Sequence, residues 1–503
     1  MSSFEMAQTH QIPAFVDKII VSGLNRTEES LIKKQFHALV QSTNVKDLFE
    51  RVSEAKKRLD RLGVFRYVYA LVDIADEPSK YRVIFKVEEK RPATGRISLT
   101  HGTDGVSKMC GSVRFNNLLR GAEFADLDLE VGSNQLTTKI ATLSKPLERN
   151  PYVRFSFGGT EGHWDHWWAR FLRHERSVFS DVTVETAYGV HKFQWDANWR
   201  EVEARDNTTP WAVRKESGAA LKVGLKHTFE HDTRSDMVFP DSGFLFRLSK
   251  ELASISPGSP TGQMAPDKVT SSSAARPVDD RAFQLKVEGL THKPFRLTNW
   301  LVGEVTCSAG LTHSLSGHPV HIVDRFFLGG PLELRGFQWR TVSPMQPLLE
   351  PTQFNLPTAD VVNETVDTTQ TSTASRSPVG SDGFWLTGAH FYTPLPFFGA
   401  EEGSLASHFR LHAFCLAGST LDSPVQRILD RIAASPSAPD RTSLTRRLLT
   451  ELSSQPRAVV GGGLVIRFAG LLRIEINYCV PFKSQPGDLL KSGFNFGFGI
   501  AYS

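Results

Sequence analysis

Histidine, carboxylate and cysteine side chains are the first candidates for chemistry in this sequence, and their spacing argues against a metal site. His163, Asp165 and His166 lie in HWDHWW, in a predicted loop with no third histidine at helical spacing. Interfacial aromatic residues therefore explain this segment better than metal ligands do. The four cysteines contain no CxxC pair, so neither a zinc site nor a disulfide framework is predicted.

The residues that an enzyme would need are also missing from the usual motifs. The sequence has no GxSxG and no plausible Ser/His/Asp arrangement, and GGG at 461–463 is not followed by the Lys-Ser/Thr of a phosphate loop. Asp126, Asp128 and Glu130 alternate with apolar residues in FADLDLEV, which favours the polar wall of a water-filled interior over acid/base catalysis. We therefore predict no enzymatic activity, no cofactor and no bound metal.

Length and composition narrow the class of protein further. The chain has 503 residues with 40% apolar and 22% charged residues, which excludes wholesale disorder and suggests several domains or one large architecture with an appendage. A net charge of +4 does not demand a nucleic-acid partner. No apolar run approaches the roughly 18–20 residues of a transmembrane helix, and MSSFEMAQTH does not resemble a cleavable targeting segment.

Residues 14–91 are predicted to form a small α+β module. Thr27 is placed to cap a first helix, EESLIKKQFHAL, and Asn44 to cap a second one that ends at Gly63. Apolar residues of the second helix recur at steps of three and four. Strands are predicted at 17–23, 64–74 and 81–89. The exposed edge of such a sheet could accept an extended peptide by strand addition.

From about residue 95 the apolar period changes from helical spacing to two. In LLRIEINYCV, for example, Arg473, Glu475 and Asn477 lie on one face and the apolar residues lie on the other. Some sixteen such segments follow one another without helices. They start near 95, 106, 122, 136, 149, 175, 191, 218, 243, 283, 297, 383, 406, 456, 469 and 491. This count favours an outer-membrane barrel with strands of about ten residues over soluble all-β domains.

The lengths of the connections support the same architecture. Long connections are predicted after odd-numbered strands, from the third to the thirteenth, and short turns after most even-numbered strands. The long ones are 161–174, 201–217, 253–279, 310–382 and 419–455. Barrels of this type have long loops on one side of the membrane and tight turns on the other. The parity places the N-terminal module on the side of the short turns.

One segment within the connection 310–382 carries a specific motif. DRFFLGGPLELRGFQW (324–339) precedes a Thr/Ser/Pro-rich stretch at 351–380, and packing alone gives little reason for its Gly-Gly-Pro and Arg-Gly-Phe turns. The pattern FxLGGxxxxRGF resembles the signature of the sixth outer loop in the barrel-assembly superfamily of outer-membrane proteins. In this sequence the pattern begins at Phe326, and the residues assigned to the motif are Phe327, Leu328, Gly329, Gly330, Arg335, Gly336 and Phe337.

Other segments resemble the barrel subunit of the mitochondrial sorting-and-assembly machinery within that superfamily. They are 213–227, 232–243, 391–397, 473–481 and the closing FNFGFGIAYS. The resemblance runs from about residue 14 to 503. It implies an all-β fold: one N-terminal α+β POTRA domain (14–91) and a sixteen-stranded transmembrane antiparallel β-barrel (92–503) with insertions at 253–279, 351–380 and 419–455. Its inner-side turn contains Asp232, Arg234, Pro240 and Gly243.

The resemblance also implies roles for the motif residues. Arg335 is expected to fold back into the barrel interior, Gly336 to allow the turn, and Phe337 to pack at the wall. A buried charge needs a partner. Many bacterial relatives supply an aspartate at a position that Leu416 occupies here, so Asp126, Asp128, Glu130 and Glu475 remain as alternative partners. Loop anchoring without a direct part in assembly is the competing interpretation of Arg335.

The last strand resembles the sorting signal that such machines recognise. Asn495, Gly497, Ile500 and Tyr502 fit one register of that signal. A second register fits Lys491, Gly493, Phe496 and Phe498. In the family the first and last strands, at 95–102 and 491–502, form a weak seam. A last strand whose inner face is mostly Gly and Ala offers little cross-strand packing, which agrees with a weak seam.

The function that the resemblance implies is insertion of β-barrel precursors such as porin into the mitochondrial outer membrane. The lipid bilayer and metaxin-like accessory subunits are expected partners, inner-membrane organising components are possible ones, and nucleic acid is not expected. The POTRA domain would face the intermembrane space. A passive channel of porin type is the alternative, although a pore needs neither the motif loop nor the module. The amphipathic helix predicted at 425–434 is either a solvated insertion or a surface-lying helix.

Overall fold

The computed structural model describes residues 13–75, 77, 79–101, 107–132, 136–257, 281–349, 376–396, 404–422, 455–468 and 472–500. Its strands form a three-stranded sheet, a sixteen-stranded sheet and a two-stranded ribbon. Within these residues, every helix is too short or too polar to cross a bilayer.

The small sheet and one long helix form the N-terminal module. The strands β1 (Phe15–Ser22), β2 (Phe65–Ile74) and β3 (Lys80–Glu89) are ordered β1-β3-β2, with β1 parallel to β3. The long helix α2 spans Val45–Leu62. The side chain of Asn44 accepts a hydrogen bond from the amide of Asp47 and caps the helix, which ends at Gly63 with a left-handed φ of 77°. The predicted cap, helix and strands are confirmed.

The first predicted helix is much shorter than its sequence suggested. Only α1 (Glu29–Lys33) is α-helical, and a 3₁₀ turn at Leu39–Gln41 follows. Thr27 does not cap the helix, so that prediction was wrong. Its hydroxyl instead accepts a hydrogen bond from Asn117, and its amide donates to Glu89. Tertiary contacts, which local sequence does not reveal, therefore hold this segment.

The large sheet has the sixteen antiparallel strands that alternation predicted. Its strands are β4 (Ala93–His101), β5 (Ser107–Asn116), β6 (Phe124–Gly132), β7 (Thr137–Leu147), β8 (Asn150–His166), β9 (Phe171–Thr186), β10 (Gly189–Ala204), β11 (Gly218–Asp232), β12 (Leu245–Pro257), β13 (Ala282–Arg296), β14 (Val302–Ser314), β17 (Gly383–Pro394), β18 (Phe409–Leu421), β19 (Arg457–Phe468), β20 (Leu472–Lys483) and β21 (Gly493–Ile500). Neighbours in sequence are neighbours in the sheet throughout.

The two faces of the sheet differ as the period-two pattern requires. In β20, Arg473, Glu475 and Asn477 are buried, whereas Tyr478 and Val480, which follow on the opposite face, are exposed. We call the face that carries the buried polar residues the inner face. The outer face is apolar and exposed, which is the distribution of a wall that meets lipid.

Several strands are longer than predicted. HWDHWW is not a loop, because β8 continues to His166 and β9 begins at Phe171, with His163 paired opposite His174. Only four residues, 167–170, connect the two strands, and the connection after β6 (133–136) is equally short. The predicted parity of long connections therefore holds only from 205–217 onward.

The bounds of the insertions also change. Strand β12 continues to Pro257, opposite Ala220, and β18 continues to Leu421, so these insertions begin later than 253 and 419. The end of the stretch 351–380 is folded, because β16 (Arg376–Pro378) pairs with β15 (Met345–Pro347). A short helix, α3 (Trp211–Lys215), lies between β10 and β11. Most of the three insertions, including the helix predicted at 425–434, lies outside the described residues.

The N-terminal module packs on the short turns of the large sheet. Phe124, at the start of β6, is buried in the hydrophobic core of the module. The amide of Glu28 donates to the carbonyl oxygen of Arg120 at 3.0 Å, and the Gln35 side chain donates to the carbonyl oxygen of Glu148 at 2.6 Å. These contacts come from the turns β5–β6 and β7–β8. We call this end of the sheet the module side.

Glu89 makes this module sensitive to acid. Burial alone would raise the pKa of Glu89, but hydrogen bonds from Thr27 and from the amides of Asn25 and Arg26 outweigh it and hold this pKa below its usual value. The stabilisation is complete above the unfolded pKa of about 4.3 and is lost as the pH falls through the folded pKa.

We expect Glu89→Gln to reduce amide protection at residues 25–27 by about 1.5 kcal/mol at neutral pH, because the hydrogen bonds lose a charged acceptor. Hydrogen exchange across pH 3–7, corrected for intrinsic rates, measures the effect. The native chain should lose protection below about pH 4, and the variant should not show this dependence. Equal pH profiles for the two proteins would contradict the assignment.

Candidate functional site

A single loop crosses the inner face of the large sheet. We call residues 322–343 the lumen loop. Near its start, Asp324 accepts hydrogen bonds from Arg200 in β10 and Lys222 in β11, both at 2.8 Å. Near its tip, Arg335 reaches Glu475 in β20. Because β10–β11 and β20 lie far apart in the strand order, the sheet must curve around the loop and enclose an interior.

The Leu-Gly-Gly half of the motif lies against the residues that follow its Arg-Gly-Phe half. Leu328 and Val342 exchange backbone hydrogen bonds of 2.9 and 3.2 Å. Gly329 has a φ of 110°, and a Cβ atom there would lie 2.4 Å from the carbonyl oxygen of Gln338. Only glycine fits such a position. The spacing of the motif is therefore explained by a loop that folds back on itself.

Arg335 is buried at the tip of this loop, with 1% of its surface exposed. Its Nε donates to Oε2 of Glu475 at 3.0 Å, and its Nη2 donates to Oε1 at 3.0 Å and to Oε2 at 2.7 Å. Glu475 has no exposed surface. The guanidinium also lies 5.0 Å from the ring centre of Phe414. This bidentate geometry is the strongest form of an arginine–carboxylate pair.

The acidic partner of Arg335 is thus one of the four alternatives that the sequence left open. Asp126 instead pairs with Arg114, and Asp128 accepts from Ser112. Leu416, at the position where the resemblance led us to expect an acid, is buried in an apolar cluster beneath the loop. The cluster contains Leu328, Leu334, Phe337, Val342, Phe414, Leu416, Val459 and Cys479. Phe337 therefore packs at the wall beside Leu416, and the carboxylate comes from two strands further along.

Glu475 is shared with a second arginine. Arg473 Nε donates to Glu475 at 2.5 Å, and Asn477 Nδ2 donates to the same carboxylate at 2.6 Å. The remaining guanidinium nitrogens of Arg473 donate to the hydroxyl of Tyr392 at 2.6 Å and to the carbonyl oxygen of Val238 at 3.3 Å. A carboxylate buried among so many donors needs no water to satisfy it.

Val238 belongs to the turn 233–244 between β11 and β12, which enters the interior from the module side. The predicted turn residues form its base: Arg234 binds Asp232 at 2.8 Å, Pro240 is buried, and Gly243 has a φ of 84°. At the tip, Arg467 of β19 donates to Asp236 at 3.0 Å. The turn and the lumen loop therefore both end on the group around Arg473 and Glu475.

Asp236 allows this contact to be tested with a small change. Its Oδ1 accepts from the amides of Val238 and Phe239, and its Oδ2 pairs with Arg467. Asp236→Asn keeps the first acceptor and loses the ion pair, whose side chains are 24% and 33% exposed. We expect a loss of less than about 1 kcal/mol of stability, with faster hydrogen exchange confined to residues 235–239. Unchanged exchange at 235–239 would show that the ion pair does not hold the turn.

The tip of the lumen loop also contacts the segment that leads into the last strand. Phe337 forms a β-bridge with Leu490, and the amide of Lys491 donates to the carbonyl oxygen of Gly336 at 2.9 Å. Within β21, a Cβ atom on Gly497 would lie 3.0 Å from Leu332 of the loop. The loop therefore lies against the inner face of β21.

The predicted signal residues are only partly visible in this structure. Asn495 is buried, and its side chain donates to the carbonyl oxygens of Lys491 and Gly493 at 3.0 and 3.1 Å. Phe494 and Phe496 point outward and are exposed. Tyr502 lies outside the described residues, as does the side chain of Ile500.

The strands at the two ends of the large sheet are short. Over the described residues, β4 has 9 residues and β21 has 8, compared with 16 in each of β9 and β10. The strand order begins at one of them and ends at the other, and the described part of the chain contains no ladder between β4 and β21. We call the edges of β4 and β21 the seam.

The sequence analysis did not predict the second ion cluster, which Asp324 forms with Arg200 and Lys222 at the start of the lumen loop. Asp324 is 5% exposed, and Lys222 also pairs with Glu251. The residues come from three distant segments, so no local spacing could have indicated them. The only sequence signal is that Asp324 opens DRFF, three residues before the motif.

The segment HWDHWW contributes aromatic packing where β8 ends and β9 begins, at the end of the sheet opposite the module side. His166 stacks on Phe171 with ring centres 4.3 Å apart, and it contacts Trp168 at 5.0 Å. Among the described residues, no group of three His, Cys, Asp or Glu side chains is placed to hold a metal ion.

Comparison with known proteins agrees with this geometry. The chain is 27% identical over 491 residues to the sorting and assembly machinery component 50 homolog of Homo sapiens, covering 97% of this chain and 90% of that protein. It is also 27% identical over 510 residues to a SAM50-like protein of Drosophila melanogaster, covering 98% and 96%.

Solved structures share the fold. The BamA structure from Haemophilus ducreyi, lacking POTRA domains 1–3, superposes with a TM-score of 0.68 at 15% identity, covering 96% of this chain and 84% of that one. CdiB from Acinetobacter baumannii gives a TM-score of 0.51 at 11% identity, covering 97% and 73%. The family model described as the Omp85 superfamily domain matches residues 172–502, well over half of the chain. The chain belongs to the Omp85 superfamily.

Proposed function

We propose that this protein inserts β-barrel precursors into the mitochondrial outer membrane. Membership of the Omp85 superfamily and similarity along nearly the whole chain to proteins named sorting and assembly machinery components support this proposal. A sheet with a polar inner face and an apolar outer face suits a wall that spans a bilayer. The precursor would be a barrel of porin type, and no catalytic group or cofactor takes part.

One observation carries the mechanism: the lumen loop contacts the last strand directly. The bridge between Phe337 and Leu490 and the contact of Leu332 with Gly497 place the motif against β21. We infer that Arg335 and Glu475 hold the loop in this position. The loop then keeps the end of the sheet in a defined register while the seam opens.

Precursor strands would pair at the seam. In lipid an unpaired strand edge is costly, because no water replaces its lost hydrogen bonds. A short pair such as β4 and β21 has few hydrogen bonds to lose, and the precursor's own strand replaces them as they break. Burial of the precursor's apolar band then drives its release into the bilayer, so that no external energy source is needed.

The orientation and partners follow from the same proposal. The N-terminal module, which we assign as a POTRA domain of residues 14–91, would face the intermembrane space, and the long loops would face the cytosol. Metaxin-like accessory subunits would complete the complex, and inner-membrane organising components could contact the module. The contacts of the lumen loop with β21 and the segment before it favour assembly over a passive channel of porin type, because a pore needs no loop bound to its last strand.

Import into mitochondria depleted of this protein tests the proposal. Radiolabelled porin precursor would be followed on native gels, with a helix-anchored outer-membrane protein and a matrix protein as matched controls. We expect loss of assembled porin with normal import of both controls. Normal porin assembly combined with altered metabolite permeability would instead support the channel.

A further inference from the structure

The outer face of the large sheet carries a basic row at a level where lipid-facing residues are otherwise apolar. His227 of β11 lies opposite Lys250 of β12 in the strand ladder. His191 of β10 is hydrogen-bonded to His227 at 3.2 Å between Nδ1 and Nε2, and the two rings are stacked. We call His191, His227 and Lys250 the basic row. Three strands therefore contribute one continuous polar strip.

Lys250 in this row has no acidic partner within the described part of the chain. It is exposed, and its neighbours on the same face of β12 are Leu248 and Leu252. The carboxylate of Glu251 points to the inner face, where it pairs with Lys222. An unpaired lysine on the lipid-facing wall of a barrel costs up to about 2–4 kcal/mol, depending on its depth. An anion supplied from outside the protein would remove this cost.

An apolar groove begins beside the basic row. It has a volume of about 510 Å³ and is lined on the outer face by Phe193, Trp195, Leu225, Leu252 and Leu285. Ser180 lies opposite Trp195 in the ladder between β9 and β10, and its small side chain leaves space beside the indole. The groove is therefore a recess in the wall.

The row runs from near the module-side end of β10 to Lys250, which lies five residues from Leu245, where β12 begins. The long stem of Lys250 allows its ammonium group to extend toward that end. His191 lies two residues from Gly189, where β10 begins at the module side. Phe229, which lies opposite His191, and Phe246 are on the module side of His227 and Lys250, with ring centres 6.2 Å apart, as in the aromatic belt at a membrane interface. The groove extends in the other direction, toward the middle of the wall. A phosphate on the module side of the row and an acyl chain in the groove would follow the direction in which a lipid of that leaflet lies.

We propose that the basic row and the groove together bind one anionic phospholipid from the leaflet on the module side. The phosphate is held by Lys250 and His227, and one acyl chain fills the space between Trp195 and Leu252. The site depends on the membrane placement proposed above and is independent of the assembly activity. It is also remote from the lumen loop, which lies on the opposite face of the sheet.

Native mass spectrometry of the full chain in detergent tests the site, with phosphatidylglycerol, phosphatidylcholine and soluble glycerol phosphate as probes. We expect one phosphatidylglycerol to bind with at least tenfold higher affinity than phosphatidylcholine, and Lys250→Gln to remove this preference. Lys293→Gln is the matched control, since Lys293 is also exposed on the module side but donates to the carbonyl oxygen of Gly243. The control should keep the preference.

A second variant tests the groove without changing any charge. Leu252→Trp fills the recess, so we expect it to weaken phosphatidylglycerol binding at least fivefold while Lys250 stays in place. Heat-modifiable migration on gels reports that each variant is folded. Equal binding of phosphatidylglycerol by the native chain and folded Lys250→Gln would overturn the proposal. Equal affinity for glycerol phosphate and phosphatidylglycerol would overturn the role of the groove. Loss of porin assembly activity alone would leave these binding results unchanged, so the two proposals fail separately.

Discussion

Replacing Arg335 with alanine is expected to abolish most assembly of other barrels while the large sheet of the variant itself still forms. The substitution removes one of the two arginines that donate to the buried carboxylate of Glu475 and leaves Arg473. Removal of one partner of a buried ion pair costs about 3–5 kcal/mol, which is enough to release the tip of the lumen loop from β20. The loop would then lose its contacts with β21, and porin assembly should fall at least tenfold.

Arg340→Ala is the matched control for this experiment. Arg340 lies in the same loop, and its guanidinium lies over the rings of Trp168 and Trp339, at 5.2 and 5.5 Å. Such contacts are worth about 0.5–1 kcal/mol, so assembly should be nearly normal. If Arg335→Ala assembles porin as well as Arg340→Ala does, the loop is an anchor without a part in assembly.

Asp324→Asn is expected to have the second large effect, at the other end of the loop. The variant would leave Arg200 without its carboxylate partner and Lys222 with Glu251 alone. Because both cations are buried beside Asp324, we expect a loss of about 3–5 kcal/mol in the stability of the folded sheet. This variant should lower the temperature at which the protein loses heat-modifiable migration.

Comparing the stability of Asp236→Asn with that of Asp324→Asn shows how burial changes the cost of losing an ion pair. Asp236→Asn removes an ion pair that is partly exposed, and Asp324→Asn removes one that is almost fully buried. Exposed pairs contribute little because water screens them. If the two variants lower the unfolding temperature by the same amount, the cluster around Asp324 does not anchor the loop as we infer.

Much of the fold was predictable because its signals are local and periodic. The alternation of Arg473, Glu475 and Asn477 with apolar residues identified β20 and its inner face, and Asn44 and Gly63 marked both ends of α2. Strand ends were less predictable. The end of β8 is rich in aromatic residues and histidines, which sequence alone suggested to be a loop, whereas its pairing with β9 extends it to His166.

The motif of the lumen loop could be predicted from the sequence, but the side chains that pair with its residues could be predicted only in part. The glycines and Arg335 form a local pattern, so their place in one loop could be recognised. Glu475 remained one of four alternatives because 140 residues separate it from Arg335. The cluster of Arg200, Lys222 and Asp324 left no pattern at all. Contacts made by folding a sheet around a loop depend on tertiary geometry, which period and spacing do not encode.

Disulfide cross-linking tests most directly whether precursor strands pair at the seam. A chain lacking its four native cysteines would carry one new cysteine on the seam strand β4, at Gly95, or on the distant strand β11, at Gly224. A porin precursor with a cysteine in its last strand would be arrested during import. We predict a cross-link at Gly95→Cys and none at Gly224→Cys. Cross-links of equal yield at both positions, or at β11 alone, would contradict pairing at the seam.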